Sequence, residues 1–232
     1  MPYRRLPNTD ASRLKALKTV LGCEDIYTVR SRFVDWKTLN RARTVYDKLL
    51  TANEQYRVAY AAQMRGVGKG EKLQRNATMY VSHFLQVLVM SVERGEIKKS
   101  MLALYGLSED APLLPNMRTA AGLIKWGQAA VDGERQRLKS GGRPIYNPTV
   151  GMVSTHLDIF RENYDRQESL RERTSQAVQV LKTIRPEVDE VLLDLWNQIE
   201  THFSGEPPET RFAECRKYGV VYYYRRNEPH TY

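Results

Sequence analysis

"FVDWKTLNRARTVYDKLLTANEQYRVAYAAQM" (residues 33–64) decides the fold class. Within it Leu39, Ala42, Tyr46, Leu49, Asn53, Tyr56 and Tyr60 follow one another at steps of three and four. That is the 3.5-residue repeat of a helix packed along its length, whereas a strand would alternate at every second residue. The stretch therefore predicts a bundle helix. Asn53 falls on the seam, where a buried amide fixes register by demanding a partner.

The same periodicity extends in both directions. Upstream, "NTDASRLKALKTVLG" (residues 8–22) offers Asn8, Thr9 or Asp10 as an N-cap, Leu14, Leu17 and Leu21 as one face and Gly22 as a stop, which predicts a short helix over residues 10–21. Downstream, the cluster "RGVGKGEK" (65–72) breaks the chain before a helix over 71–94 striped by Leu73, Ala77, Tyr80, Val81, Phe84, Leu88 and Val92. Residues 97–105 add one or two turns. "GLSEDAPLLPN" (106–116), with two prolines, a glycine and an acidic pair, reads as the linker between a basic first half, 1–107, and a second half, 108–232. Beyond it come a helix over 117–139, a long one over 148–184 whose stripe lapses between Gln167 and Thr174, and another with Pro186 in its first turn. The lapse reads as a stretch projecting beyond the bundle.

Three short matches link the halves: "PN" at 7–8 and 115–116, G-x-x-x-I-Y at 22–27 and 141–146, and Y-D-K/R at 46–48 and 164–166. A duplication would give two related bundles side by side, or one bundle of intertwined halves.

The tail changes period. "PPETRFAECRKYG" (207–219) reads as a short helix stopped by Gly219, and "VVYYYRR" (220–226) as a strand with Val220, Tyr222 and Tyr224 on one face and Val221, Tyr223 and Arg225 on the other. A lone strand must satisfy its backbone somewhere. The first expectation is "RPIY" (143–146), then "EDIYTV" (24–29). A second copy or a partner's peptide added at the edge is the intermolecular alternative. Residues 216–223 fit the RNA-recognition strand signature only in part: Lys217 stands in place of a glycine and Val220 in place of an aromatic, and the chain lacks the other strands of that module.

Charge is distributed unevenly. Residues 1–75 hold 16 Lys/Arg against 7 Asp/Glu, and residues 76–232 hold 20 of each, so the whole +9 sits in the first third. Such an excess attracts acidic partners, nucleic acid included, or simply solvates a helix face. The most apolar run, "VSHFLQVLVMSV" (81–92), is too short and too polar for a membrane span, and "MPYRRLPNTD" has no apolar segment after its basic residues, so a cytoplasmic location is expected. Cys23 and Cys215, far apart and without ligand-spaced neighbours, fit reduced thiols, with a single long-range bridge as the alternative.

No constellation carries visible chemistry. Gly68-Lys69 lacks the upstream glycine, the following hydroxyl and the preceding strand of a phosphate loop, leaving Lys69 as a nonspecific phosphate contact at most. His83, His156, His202 and His230 are scattered. The nearest approach to a metal set, His156 with Asp158 and Glu162, splits across helix faces. No nucleophile elbow or local Cys–His pair occurs. No cofactor and no metal are expected.

The opening "RRLPNTDASRLKALKT" and the closing "RKYGVVYYYRRNE" resemble those of a group of bacterial helical-bundle proteins with no assigned function. The resemblance implies a helical bundle and carries over no binding or catalytic residue. Together these readings give an all-α fold: two related antiparallel helical bundles with a short C-terminal helix and β-strand. The function expected is a non-enzymatic interaction or scaffold module that binds a protein partner or its own copies. The alternative is a nucleic-acid-associated protein with Arg4, Arg5, Arg41, Arg43, Lys69 and Arg225 on phosphates and Tyr222 and Tyr224 as stacking surfaces.

Overall fold

The computed structural model describes residues 2–28, 32–110, 114–226 and 228. Val29, part of the linker (111–113) and His230 lie outside them. The described residues are all-α in class: β1 (Tyr3–Arg4), α1 (Asp10–Leu21), α2 (Trp36–Met64), α3 (Val67–Glu93), α4 (Ala120–Lys139), α5 (Val150–His202), α6 (Pro208–Lys217) and β2 (Tyr222–Tyr223), with short 3-10 turns between. No helix among them is long and apolar enough to cross a membrane.

Local chemistry explains the ends of these elements. Thr9 caps α1 by accepting from the Ser12 amide, and Ser12 returns the bond to the Thr9 amide. Thr119 caps α4 in the same way through the Gly122 amide. Pro207 and Pro208 open α6, and Gly219, at φ +83°, turns the chain out of it.

The chain forms two compact units, Met1–Tyr60 with Arg173–Tyr232, and Ala61–Glu172. This division differs from the one expected at 107/108. The expected linker is a loop inside the second unit, because Leu102, Tyr105 and Leu107 before it and Met117 and Leu123 after it share one core. The passages between units fall instead within α2 and α5. The second of these lies in the stretch where the stripe lapses: between Phe160 and Leu181 only Thr174 is buried.

Three further expectations are corrected. Residues 148–184 and the helix starting at Pro186 are one 53-residue helix, α5, with the proline inside it. An interior proline removes the bond to the carbonyl four residues back, at a cost of about 3 kcal/mol. The helix continues because Leu181 before it and Val188 and Leu192 after it are buried in the same core. The glycine cluster does not delay α3 to residue 71, since the helix begins at Val67 and takes Gly68 and Gly70 into its first turns. On α2 the buried seam runs through Leu39, Ala42, Val45, Leu49 and Ala52, which leaves Asn53 half-buried and Tyr60 exposed.

In the first unit Leu17, Val20, Ile26, Leu39, Leu49, Leu192, Trp196 and Ile199 lie in one core. In the second, Phe84, Leu88, Tyr105, Leu123, Ile145 and Phe160 lie in another. Ile26 and Ile145, the paired residues of the G-x-x-x-I-Y match, are thus each buried in a different core.

The second core encloses one charged cluster. Arg137 donates to Glu134 through Nε (2.9 Å) and Nη2 (2.8 Å), and Tyr105 donates its hydroxyl to the same carboxylate. Glu134 also accepts from the Ile145 amide, and Arg137 donates to the Arg143 carbonyl. Burial pushes the Glu134 carboxyl up, but the hydrogen bonds from Arg137, Tyr105 and Ile145 outweigh it and hold the group below its ordinary value. This cluster also occupies polar backbone of "RPIY", the segment expected to pair with the tail strand. "EDIY" is a 3-10 turn.

Replacing Glu134 with Leu leaves Arg137 buried without its partner. In urea denaturation the variant is expected to lose about 3–5 kcal/mol. The stability carried by this carboxyl is present above its unfolded value, near 4.5, and is lost as pH falls through the depressed folded value. The acid limb of the stability profile should therefore flatten in the variant. Glycines give a second test. A Cβ at Gly133 would sit 2.7 Å from the Leu104 carbonyl and from the Tyr105 ring, while one at Gly68 meets nothing within 4 Å. Gly133→Ala should cost about 1–3 kcal/mol, and Gly68→Ala should raise stability by about 0.5–1 kcal/mol; thermal melting distinguishes the two.

Candidate functional site

The tail strand finds its partner at the other end of the chain. β2 pairs antiparallel with β1, Tyr3 opposite Tyr223 and Arg4 opposite Tyr222, and the Arg5 amide extends the ladder by donating to the Val221 carbonyl at 2.8 Å. The expected alternation holds, with Val220 buried, Tyr222 and Tyr224 half-buried, and Val221, Tyr223 and Arg225 exposed. The partner is neither of the two segments expected.

Glu200 on α5 fastens both strands. It accepts from Arg4 Nη1 at 3.0 Å and from the Tyr222 hydroxyl at 2.6 Å, while Arg4 also donates to Asn197. Burial, then the bond to Glu200, pushes the Tyr222 phenol well above its ordinary value. The Tyr222 ring meets the Phe212 edge at 4.9 Å. Gly219 brings the chain hard against α1: a Cβ there would lie 3.2 Å from Thr19 Cβ and 3.3 Å from the Ala16 carbonyl.

Between the two chain ends opens a pocket of about 790 Å³. Leu6, Pro7 and Val221 supply its accessible apolar walls, and buried Ala16, Trp196 and Val220 lie beneath them. Thr9 and Ser12, at the positive end of α1, and the cations Arg5, Lys15 and Arg216 also line it. None of its lining residues is acidic. The nearby carboxylates Asp10 and Glu200 are engaged by Arg185 and by Arg4 and Tyr222. Trp196 is fully buried, and its Nε1–H has no hydrogen-bond partner.

The residues named for nucleic acid are dispersed among different tasks. Arg4 is paired with Glu200 and Arg41 with Glu190, Arg43 lies over the Tyr27 ring, and Arg225 lies over the Tyr3 ring at 4.3 Å. Tyr222 is closed off by Glu200 and Phe212, and half-buried Tyr224 also has a partner. Lys69 is exposed on α3 in the other unit. Of this set, Arg5 and Tyr222 line the pocket, and Arg5 is the set's one cation there.

Sequence reading missed Lys15, Trp196 and Arg216. Trp196 had a signal, since it stands four residues after Leu192 and three before Ile199, the spacing of one apolar helix face. Nothing local marked the two cations. His156 and His202, far from metal geometry, stack on Tyr80 (3.9 Å) and Phe33 (4.1 Å), and His83 is exposed. No group of metal-competent side chains occurs among the described residues. Cys23 and Cys215 are free thiols, and burial pushes both above their ordinary value. Comparison with protein-family models, curated proteins and solved structures gives no match to this chain.

Glu200→Ala removes the shared acceptor of both chain ends. A loss of about 1–3 kcal/mol is expected in the first unit, read as faster hydrogen exchange of the Arg5 amide. Unchanged protection would show that the ends hold together without it.

Proposed function

We propose that the chain is a non-enzymatic interaction module that receives an acidic partner at its clasped ends. One observation carries this reading: a pocket with apolar walls, three cations and no carboxylate in its lining. Cationic clefts with low-dielectric walls concentrate field and select negatively charged partners. Two copies meeting face to face here would set cations against cations, so the partner is a different, acidic protein.

This reading separates two groups of cations. Arg4, Arg13, Arg41 and Lys48 are held in internal ion pairs, whereas Arg5, Lys15 and Arg216 face the pocket.

Labelled poly-L-glutamate tests it. Fluorescence anisotropy at low ionic strength should show binding to the intact protein, weakening as salt is raised. The double variant Arg5→Glu with Arg216→Glu should bind at least tenfold more weakly. Equal binding by that variant, or none by the parent protein, contradicts the proposal.

A further inference from the structure

We infer that the pocket at the clasped ends takes a short extended segment of a partner protein, one that lays a large apolar side chain against Leu6, Pro7 and Val221 and places acidic residues on either side of it. This rests on the interaction reading above and names its ligand.

Size supports a segment over a single group. About 790 Å³ is at the upper part of the range for ligand pockets and exceeds what one side chain fills. The accessible apolar surface is spread along the lining, because Leu6 is 38% and Val221 49% exposed. A polypeptide that lies across these two residues covers it. Charge supports acidic flanks: Arg5 and Arg216 come from opposite chain ends and Lys15 from α1, so carboxylates on both sides of an anchor find a cation. The Nε1–H of Trp196, buried without an acceptor in a residue beneath this lining, reports on what settles above it.

Single-stranded nucleic acid is the other polyanion with flat apolar groups, and the exposed tyrosines of the ribbon are where it would stack. Arg225 already lies over the Tyr3 ring at 4.3 Å, and Tyr223 is tilted 40° against Tyr3. That arrangement presents no open pair of parallel faces.

The test uses the full chain as bait for a random dodecapeptide library displayed on phage. Enriched peptides should carry Trp, Phe or Leu between acidic residues. A synthetic copy should shift the Trp196 indole N–H resonance, assigned with Trp196→Phe. It should also bind Arg216→Glu and Val221→Glu at least tenfold more weakly, with circular dichroism confirming that both variants fold. Enrichment of peptides without acids, an unmoved Trp196 resonance, undiminished binding to both variants, or no enrichment overturns the inference. Displacement of the peptide is not expected from oligo(dT) of 20 nucleotides; binding of that oligonucleotide with the same variant dependence, in the absence of peptide binding, assigns the site to nucleic acid instead. Poly-L-glutamate binding that depends on Arg5 and Arg216, without any apolar-anchored peptide, removes this inference and leaves the broader reading standing.

Discussion

From Pro186 to Thr210 the chain carries seven acidic residues and no Lys or Arg. On α5 the acids crowd together, with Glu187, Glu190 and Asp194 at successive steps of three and four on one face. Left alone they repel one another. The first unit answers them with the basic N-terminal segment: Lys48 meets Glu187, Arg41 meets Glu190 and Thr38 donates to Asp194, an order that runs α2 antiparallel to this half of α5. Nearer the chain start, Arg13 grips Asp189 with two bonds of 2.7 and 2.8 Å, and Arg185 grips Asp10 with two of 2.8 and 2.7 Å. Arg4 on Glu200 completes the series.

Exposed pairs of this kind are each worth about 0–1 kcal/mol, so the outer rungs set register and direction while the buried apolar seam supplies most of the free energy. The Arg13–Asp189 and Arg185–Asp10 forks differ from the rest. Their guanidinium groups are held at two points, and the Arg13 side chain is nearly buried. They join α1 to α5 on either side of Pro186, where the helix lacks a backbone bond. With α1 fixed on α5 and Gly219 pressed on α1, both chain ends arrive at Glu200. The pocket between them follows from that closure, and among the described residues none of its three cations is in an ion pair, although Arg216 lies over the Tyr222 ring.

Much of the fold was legible in the sequence because helices announce themselves locally. α1, α2 and α4 fall within a few residues of their expected ranges, and the positive-φ stop at Gly219 was readable from residue type and position. What depended on distant partners was not. The strand's alternation was visible, but its partner was a two-residue strand, too short to leave a pattern, at the far end of the chain. Pro186 reads as a helix start by local rules, and only burial on both its sides overrides them. The basic excess suggested an external partner because 76–232 is neutral when summed. Counted in a shorter window, the acid-only run on α5 supplies the internal partner that the sum conceals. As for the site, Arg5 was in view, whereas Lys15, Arg216 and Trp196 converge only after both ends have met.

A double-mutant cycle on Arg13 and Asp189, each changed singly and together to Ala and followed by urea denaturation, measures the junction most directly. A coupling of about 1 kcal/mol or more between the two is the expected result, with the first unit losing its cooperative transition early in both single variants. Additive effects with no coupling would mean that α1 reaches α5 through apolar contact alone, and the charge-matched closure of the chain ends would be contradicted.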